Sequence, residues 1–296
     1  MRIRSFLALT RPANVVTAFS DILAGVAIAG IFTTDHLYSF WNLVILLLIS
    51  TAGLYAGGIV FNDYFDRQVD KIERPERLIP SGEISAKEAK YFGVFLFLIA
   101  IIVAFQVNAT SGLVATTITI LAVIYDRFSK HHKILGPLNM GFCRGLNLVL
   151  GMSILPATLS SDLVFMGLLP VIFISAITLT SQGEVKGDNR AAIKIALGLD
   201  ILVAAVIVIL GLYQILNIYS IIPFLFLWAG MNIRAKVRAI IRNSPPEIMY
   251  AVKTGVMSII PLNAIYAAGF GHWWFGIAVL LLLPLAFLLS KRFAVT

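Results

Sequence analysis

Apolar runs of membrane-spanning length recur from one end of this 296-residue chain to the other. Crossing the hydrocarbon core of a bilayer as a helix takes about 20 apolar residues. Ten such stretches can be drawn, at roughly 13–32, 42–66, 90–108, 111–126, 137–157, 162–182, 194–214, 218–236, 250–269 and 272–290. No polar domain separates them. Hydrophobic residues make up 59% of the chain and charged residues 13%, against about half and a quarter in a soluble domain. The pattern predicts an all-α, polytopic transmembrane bundle forming one domain over residues 1–296. The ninth stretch is the least regular, since it holds Lys253, Pro261 and Asn263.

The connections alternate in charge. Segments 33–41, 106–112, 157–162, 213–219 and 269–272 contain no Lys or Arg. The other connections and both termini hold nearly all the basic residues. By the positive-inside rule this places both termini and the long connections (67–89, 127–136, 183–193, 237–249) on the cytoplasmic side of an inner or plasma membrane. The same rule accounts for the net charge of +8. No aromatic residues interleave with the basic groups in a polar segment, so nucleic acid is not an expected partner; the lipid bilayer is. The start, MRIRSFLALTRP, has no small-residue cleavage site and reads as the cytoplasmic end of the first span. Cys143, the single cysteine, lies in an apolar run and reads as a buried thiol.

One connection departs from its surroundings. FNDYFDRQVDKIERPERLIPSGEIS (61–85) places Asn62, Asp66 and Asp70 at i, i+4 and i+8. Each step of four turns a helix by only about 40°, so the three share one face over about 12 Å, with Asp63 on the adjacent face. Aligned carboxylates repel unless a cation sits between them, and oxygen-only ligands suit Mg²⁺ bound together with substrate phosphates. The plainer alternative is a solvated helix end whose acids pair with Arg67, Lys71 and Arg74. A second acidic pair, Glu184 and Asp188, ends the sixth stretch in SQGEVKGDNR, on the same side by the charge argument. Two such helix ends facing one cavity can hold metal ions against a diphosphate leaving group.

These motifs resemble the UbiA superfamily of membrane prenyltransferases over nearly the full length. LTRPAN (9–14) looks like the family's opening Arg-Pro-x-Asn. NDYFDRQVD (62–70) fits N-x-x-x-D-x-x-x-D, and ERPERLIPSGEIS (73–85) fits the R-P-x-R-x-x-P-S-G segment that follows. YDRFSK (125–130) resembles the Tyr-to-Lys motif, and GEVKGD (183–188) stands where the family carries D-x-x-x-D. The resemblance implies a helical bundle of nine spans around a central cavity under a cytoplasmic cap, with ten counted here. It implies a Mg²⁺-dependent transfer from a prenyl diphosphate to a lipophilic or aromatic acceptor. By position Asn62, Asp66, Asp70, Glu184 and Asp188 become metal ligands. Asp66, Asp70 and Lys130 become catalytic, and Arg74, Arg77, Lys130, Arg11 and Asn14 diphosphate contacts. The departures are Glu184 in place of Asp, Lys186 where a further acid is common, and Pro137 in place of Asn.

The fifth stretch, GPLNMGFCRGLNLVLGMS, puts Asn139, Cys143 and Asn147 on one face and Arg144 about two turns inside the span. An arginine there either meets diphosphate or an anionic acceptor from the cavity wall, or pairs with a carboxylate of a neighbouring helix. This stretch and GEVKG resemble the EboC-like branch of the superfamily. His131 and His132 read as a solvated loop pair, and Trp41, Trp273 and Trp274 as interfacial aromatics. Asp21 and Asp200 have no assigned role. The rival to an enzyme is a carrier or transport-associated protein that keeps the fold without turnover.

Overall fold

The computed structural model describes residues 2–33, 37–182, 187 and 189–292. Glu184 and Asp188 lie outside the described residues, so the second acidic motif has no structural account here. The described residues are helical, with α1 at Arg2–Leu9, α2 at Pro12–Ile28, α3 at Leu37–Glu73, α4 at Ala86–Val107, α5 at Ala109–Ile124 and α6 at Leu135–Met152. They continue with α7 at Leu168–Ser181, α8 at Arg190–Leu212, α9 at Ile218–Arg242, α10 at Pro245–Phe270, α11 at Trp273–Leu280 and α12 at Leu282–Arg292. The chain is an integral membrane protein. Among the described residues, eight helical segments are long and apolar enough to cross a bilayer. Helix α2 is shorter, and α6 carries Arg144 and two amides through its apolar sequence.

Local signals set the boundaries. Pro12 stands at the first turn of α2, where a missing N–H costs nothing. Ser85 and Glu88 form a reciprocal capping box that starts α4. Asn108 caps α5 by accepting from Ser111 N at 2.8 Å. The exposed loop residue His132 accepts through Nδ1 from the N–H groups of Ile134 and Leu135, turning the chain into α6.

Helix α3 runs 37 residues, through the expected end of the second stretch at 66 and on to Glu73. The acidic motif is therefore continuous helix. The segment behind it folds back over the bundle end, where Ile79 and Ile84 bury against Leu9, Val60 and Ala89. Two larger cores lie below. One joins α2 to α3, α4 and α5 through residues such as Ile22, Leu54 and Phe97. The other gathers α6 to α10 around Phe173, Trp228, Ile260 and Tyr266.

Helix α2 stitches these halves together by crossing α6 with backbones nearly touching. A Cβ at Gly25 would lie 2.2 Å from Leu148 O, and one at Gly151 would lie 2.5 Å from Ile22 O. Only glycine fits there, and this approach brings the polar faces of α2 and α6 together. The irregular ninth stretch is α10, a full 26-residue helix buried in the centre of the bundle. Its polar groups are tolerated because neighbours satisfy them. Asn263 Nδ2 donates to Asp21 Oδ1 at 2.6 Å and to Ser20 Oγ at 2.8 Å.

Candidate active site

Helices α2, α3, α5, α6, α7 and α10 enclose a cavity of about 410 Å³. Its middle is apolar, with Leu54, Ile59, Ile118, Met140, Ile174 and Val256 among the lining side chains. Its two ends are polar. The mouth carries Arg11, Asn14, Asn62, Tyr125 and Asp126, and the inner wall carries Thr51, Arg144 and Asn147.

At the mouth, the continuous helix of α3 sets Asn62, Asp66 and Asp70 one turn apart, as their spacing predicts. Each has a partner from another segment. Asn62 Nδ2 donates to Asp126 Oδ1 at 2.8 Å. Asp66 is paired with Lys130. Arg77 reaches back from the folded tail to place Nη1 at 2.7 Å from Asp70 Oδ2 and 3.4 Å from Asp63 Oδ1. Arg11, held in a left-handed backbone conformation before Pro12, places Nη2 at 2.6 Å from the same Asp63 oxygen. Arg74 ties the tail to α3 through its backbone N–H to Asp70 O at 2.9 Å.

Lys130 and Asp126 come from a π-helical turn at Tyr125–Ser129, closed by Lys130 N donating to Tyr125 O at 2.9 Å. The wider turn keeps Tyr125, Asp126 and Lys130 together beside α3. Single π turns inside helices recur at functional sites. The turn is braced from α6, where Asn139 Nδ2 donates to Ser129 Oγ at 3.2 Å and Asn139 Oδ1 accepts from Cys143 Sγ at 3.7 Å.

The inner wall is a closed network. Arg144 Nε lies 2.5 Å from Asp21 Oδ2, and its Nη2 donates to Thr17 O at 2.5 Å. Its guanidinium also sits 5.4 Å from the ring centroid of Tyr55. Asn147 Nδ2 donates to Asp21 Oδ2 at 2.9 Å, while its Oδ1 accepts from Thr51 Oγ1 at 2.6 Å. Arg144 is thus paired with a carboxylate of a neighbouring helix and still faces the cavity. Asp200 is explained away from the cavity, where Lys236 of α9 pairs with it at 2.5 Å.

The profile of the UbiA prenyltransferase family matches residues 23–295. The chain belongs to this family. It is 35% identical over 159 residues to the digeranylgeranylglyceryl phosphate synthase of Methanosarcina mazei, covering 51% of this chain and 55% of that one. The chain thus spans about half the length of the curated relatives it matches. Two solved structures share the fold. One, described as digeranylgeranylglyceryl phosphate synthase in membranes, has a TM-score of 0.65 at 20% identity, over 91% of this chain and 98% of its own. The other, a UbiA homolog from Archaeoglobus fulgidus bound to GPP and Mg²⁺, has a TM-score of 0.57 at 17% identity, over 97% and 99%.

Set in the UbiA fold, the donors on α3 suit a hard cation. They are oxygen atoms on one helix face at a cavity mouth, and Asp66 and Asp70 already attract cationic side chains. Among the described residues no cluster of three or more His, Cys, Asp or Glu side chains forms a ready metal site. The oxygen donors of the α3 face are compatible with one side of a Mg²⁺ site shared with phosphate oxygens. Asp126 escaped the sequence reading, which took YDRFSK for its Tyr and Lys. The i, i+4 spacing of Asp126 and Lys130 was the available signal. Asp21 carried a signal too, as an acid inside a span.

Proposed function

We propose that this chain is a Mg²⁺-dependent intramembrane prenyltransferase that moves an isoprenyl group from a prenyl diphosphate to a lipophilic or aromatic acceptor. The observation that carries this reading is the α3 acid face standing at the mouth of an apolar cavity, ringed by Arg11, Arg77 and Lys130. Asn62, Asp66 and Asp70 would hold Mg²⁺ from one side, and Glu184 and Asp188 are proposed for the other. When bound, Mg²⁺ would neutralise the diphosphate and make it a better leaving group.

The residues of the chain supply the rest. The mouth cations Lys130, Arg11, Arg74 and Arg77 attract the diphosphate and stabilise the charge that grows as the allylic C–O bond breaks. Asn14, beside Arg11, is proposed to contact the same group. The apolar middle of the cavity takes the prenyl chain and excludes water from the allylic carbon. Arg144 stays in the cavity wall, and its pairing with Asp21 argues for orienting a ligand there over carrying the diphosphate. The mouth and both termini are proposed to face the cytoplasm, on the charge alternation.

The name borne by the relatives supports a glycerol phosphate acceptor, and the cationic mouth suits an anionic one. The fifth stretch and GEVKG support the EboC-like branch instead. The test is release of diphosphate from geranylgeranyl diphosphate by the purified chain, with and without Mg²⁺, across glycerol phosphate, quinone-precursor and aromatic acid acceptors. Mg²⁺-dependent release with one acceptor class supports the proposal and names the branch. Donor binding without release across the whole panel would favour a carrier.

A further inference from the structure

A second polar site lies on the outside of the bundle, on the face of α3 and α4 away from the cavity. Tyr64 and Arg67 of α3 and Ala86, Lys87, Lys90 and Tyr91 of α4 line a notch of about 250 Å³. Three cations and two phenols converge there. Arg67 is held in place, since its Nη1 donates to Tyr64 O at 2.7 Å and its guanidinium lies 4.5 Å from the Tyr64 ring centroid. Two acids near the start of α4 are engaged elsewhere. Glu88 accepts from Ser85 and faces Arg2 at 3.5 Å, and Glu83 accepts from Ser5 Oγ at 2.5 Å. Among the described residues, none of Arg67, Lys87 and Lys90 has an acidic partner in an ion pair. The notch also sits at the first turn of α4, where the helix dipole adds positive potential.

What lies below the notch identifies its occupant. Tyr91, Phe95, Leu98, Ile102 and Phe105 are all exposed, from 47% to 63%. Their spacing of four, three, four and three residues keeps them on one face of α4. This apolar strip runs down from the notch for about 21 Å at 1.5 Å per residue, the scale of a lipid acyl chain. A cationic notch at the end of an apolar strip matches a charged headgroup joined to a hydrocarbon tail. A soluble phosphate would use the notch alone, whereas a lipid uses the notch and the strip together. Basic pockets between spanning helices recognise anionic lipid headgroups on these grounds.

We propose that the α3–α4 notch binds the phosphate headgroup of an anionic phospholipid, with an acyl chain along α4. The inference is independent of the prenyl transfer reading, because no notch residue belongs to the cavity. Arg67 follows Asp66 directly, so an occupied notch would brace the helix that carries the acid face.

The test is lipid retention by the full chain, measured by native mass spectrometry after extraction from vesicles of phosphatidylglycerol and phosphatidylcholine with identical chains. The wild type is expected to retain phosphatidylglycerol selectively. K87Q/K90Q is expected to weaken that retention roughly tenfold or more. R127Q/K133Q, which removes the same charge from another connection, should leave it unchanged, and K87R/K90R should preserve it. Equal retention of phosphatidylcholine, or equal loss in R127Q/K133Q, would overturn the site. So would loss in the charge-preserving K87R/K90R. Displacement of the lipid by inorganic phosphate at millimolar concentration would reassign the notch to a soluble anion and overturn the lipid assignment.

Discussion

The cavity has two charged ends built from the same residue types, and they behave differently. At the mouth, Asp66 and Lys130 keep side-chain exposures of 19% and 22%; at the inner wall, Asp21 and Arg144 keep 1% and 6%. Water at the mouth partly screens the attraction, so the half-buried pair there exchanges partners more readily than one sealed in the interior. The inner pair has left water, and each charge depends on the other. A site that must take up and release a cation belongs at the first kind of place. A pair that joins two helices belongs at the second.

Five variants break or sharpen that contrast. Asp66→Ala should lower turnover about a thousandfold while the protein inserts and folds normally, as read by diphosphate release and by thermal unfolding. Retained turnover would remove the α3 acid face from the chemistry. Arg144→Leu should destabilise the fold by about 3–5 kcal/mol, because Asp21 is left buried without its cation. Asp21→Leu combined with Arg144→Leu should recover much of that loss in unfolding titrations. A double variant as unstable as the single one would show that the pair does more than neutralise itself.

Lys130→Gln should separate two effects that a structural role would move together. Turnover should fall about a hundredfold, because the diphosphate loses a charge-matched donor. Mg²⁺ binding in the absence of donor, measured by calorimetry, should tighten by a factor of roughly a few, because the ammonium no longer competes for Asp66. Weaker Mg²⁺ binding would mean that Lys130 organises the site instead of competing for it. The smallest effect is expected at Asp200 and Lys236, a buried pair remote from the cavity. Replacing both with Leu and Met should leave activity per folded molecule within about twofold, since apolar replacement of a complete buried pair is often neutral.

Much of this was legible from residue spacing alone. The α3 face could be read because Asn62, Asp66 and Asp70 lie on one helix and the periodicity needs no partner to state. The helix outran the expected limit of 66 because hydropathy marks where apolar residues end, whereas backbone hydrogen bonding continues to Glu73. Asp21 could be seen as an anomaly but not explained, since Arg144 lies 123 positions further along the chain and reaches it only through the Gly25–Gly151 crossing. Asp200 had the same defect, with Lys236 on the next helix. The ninth stretch looked weak because hydropathy charges Asn263 its full cost, and only its neighbours Asp21 and Ser20 remove that cost.

The sequence by itself determined a polytopic helical bundle, the charged end of that bundle and the acid face of α3. Each follows from patterns within one helix or one loop, where neighbours in sequence are neighbours in space. The tertiary structure decided which cation each acid holds: Lys130 at Asp66, Arg77 at Asp70, Arg11 at Asp63 and Arg144 at Asp21. It also decided that Asp126 stands at the cavity mouth and that three cations share a notch on the outer face. Charge partnership depends on separations of a few ångströms between distant segments, and packing of the helices is what fixes them.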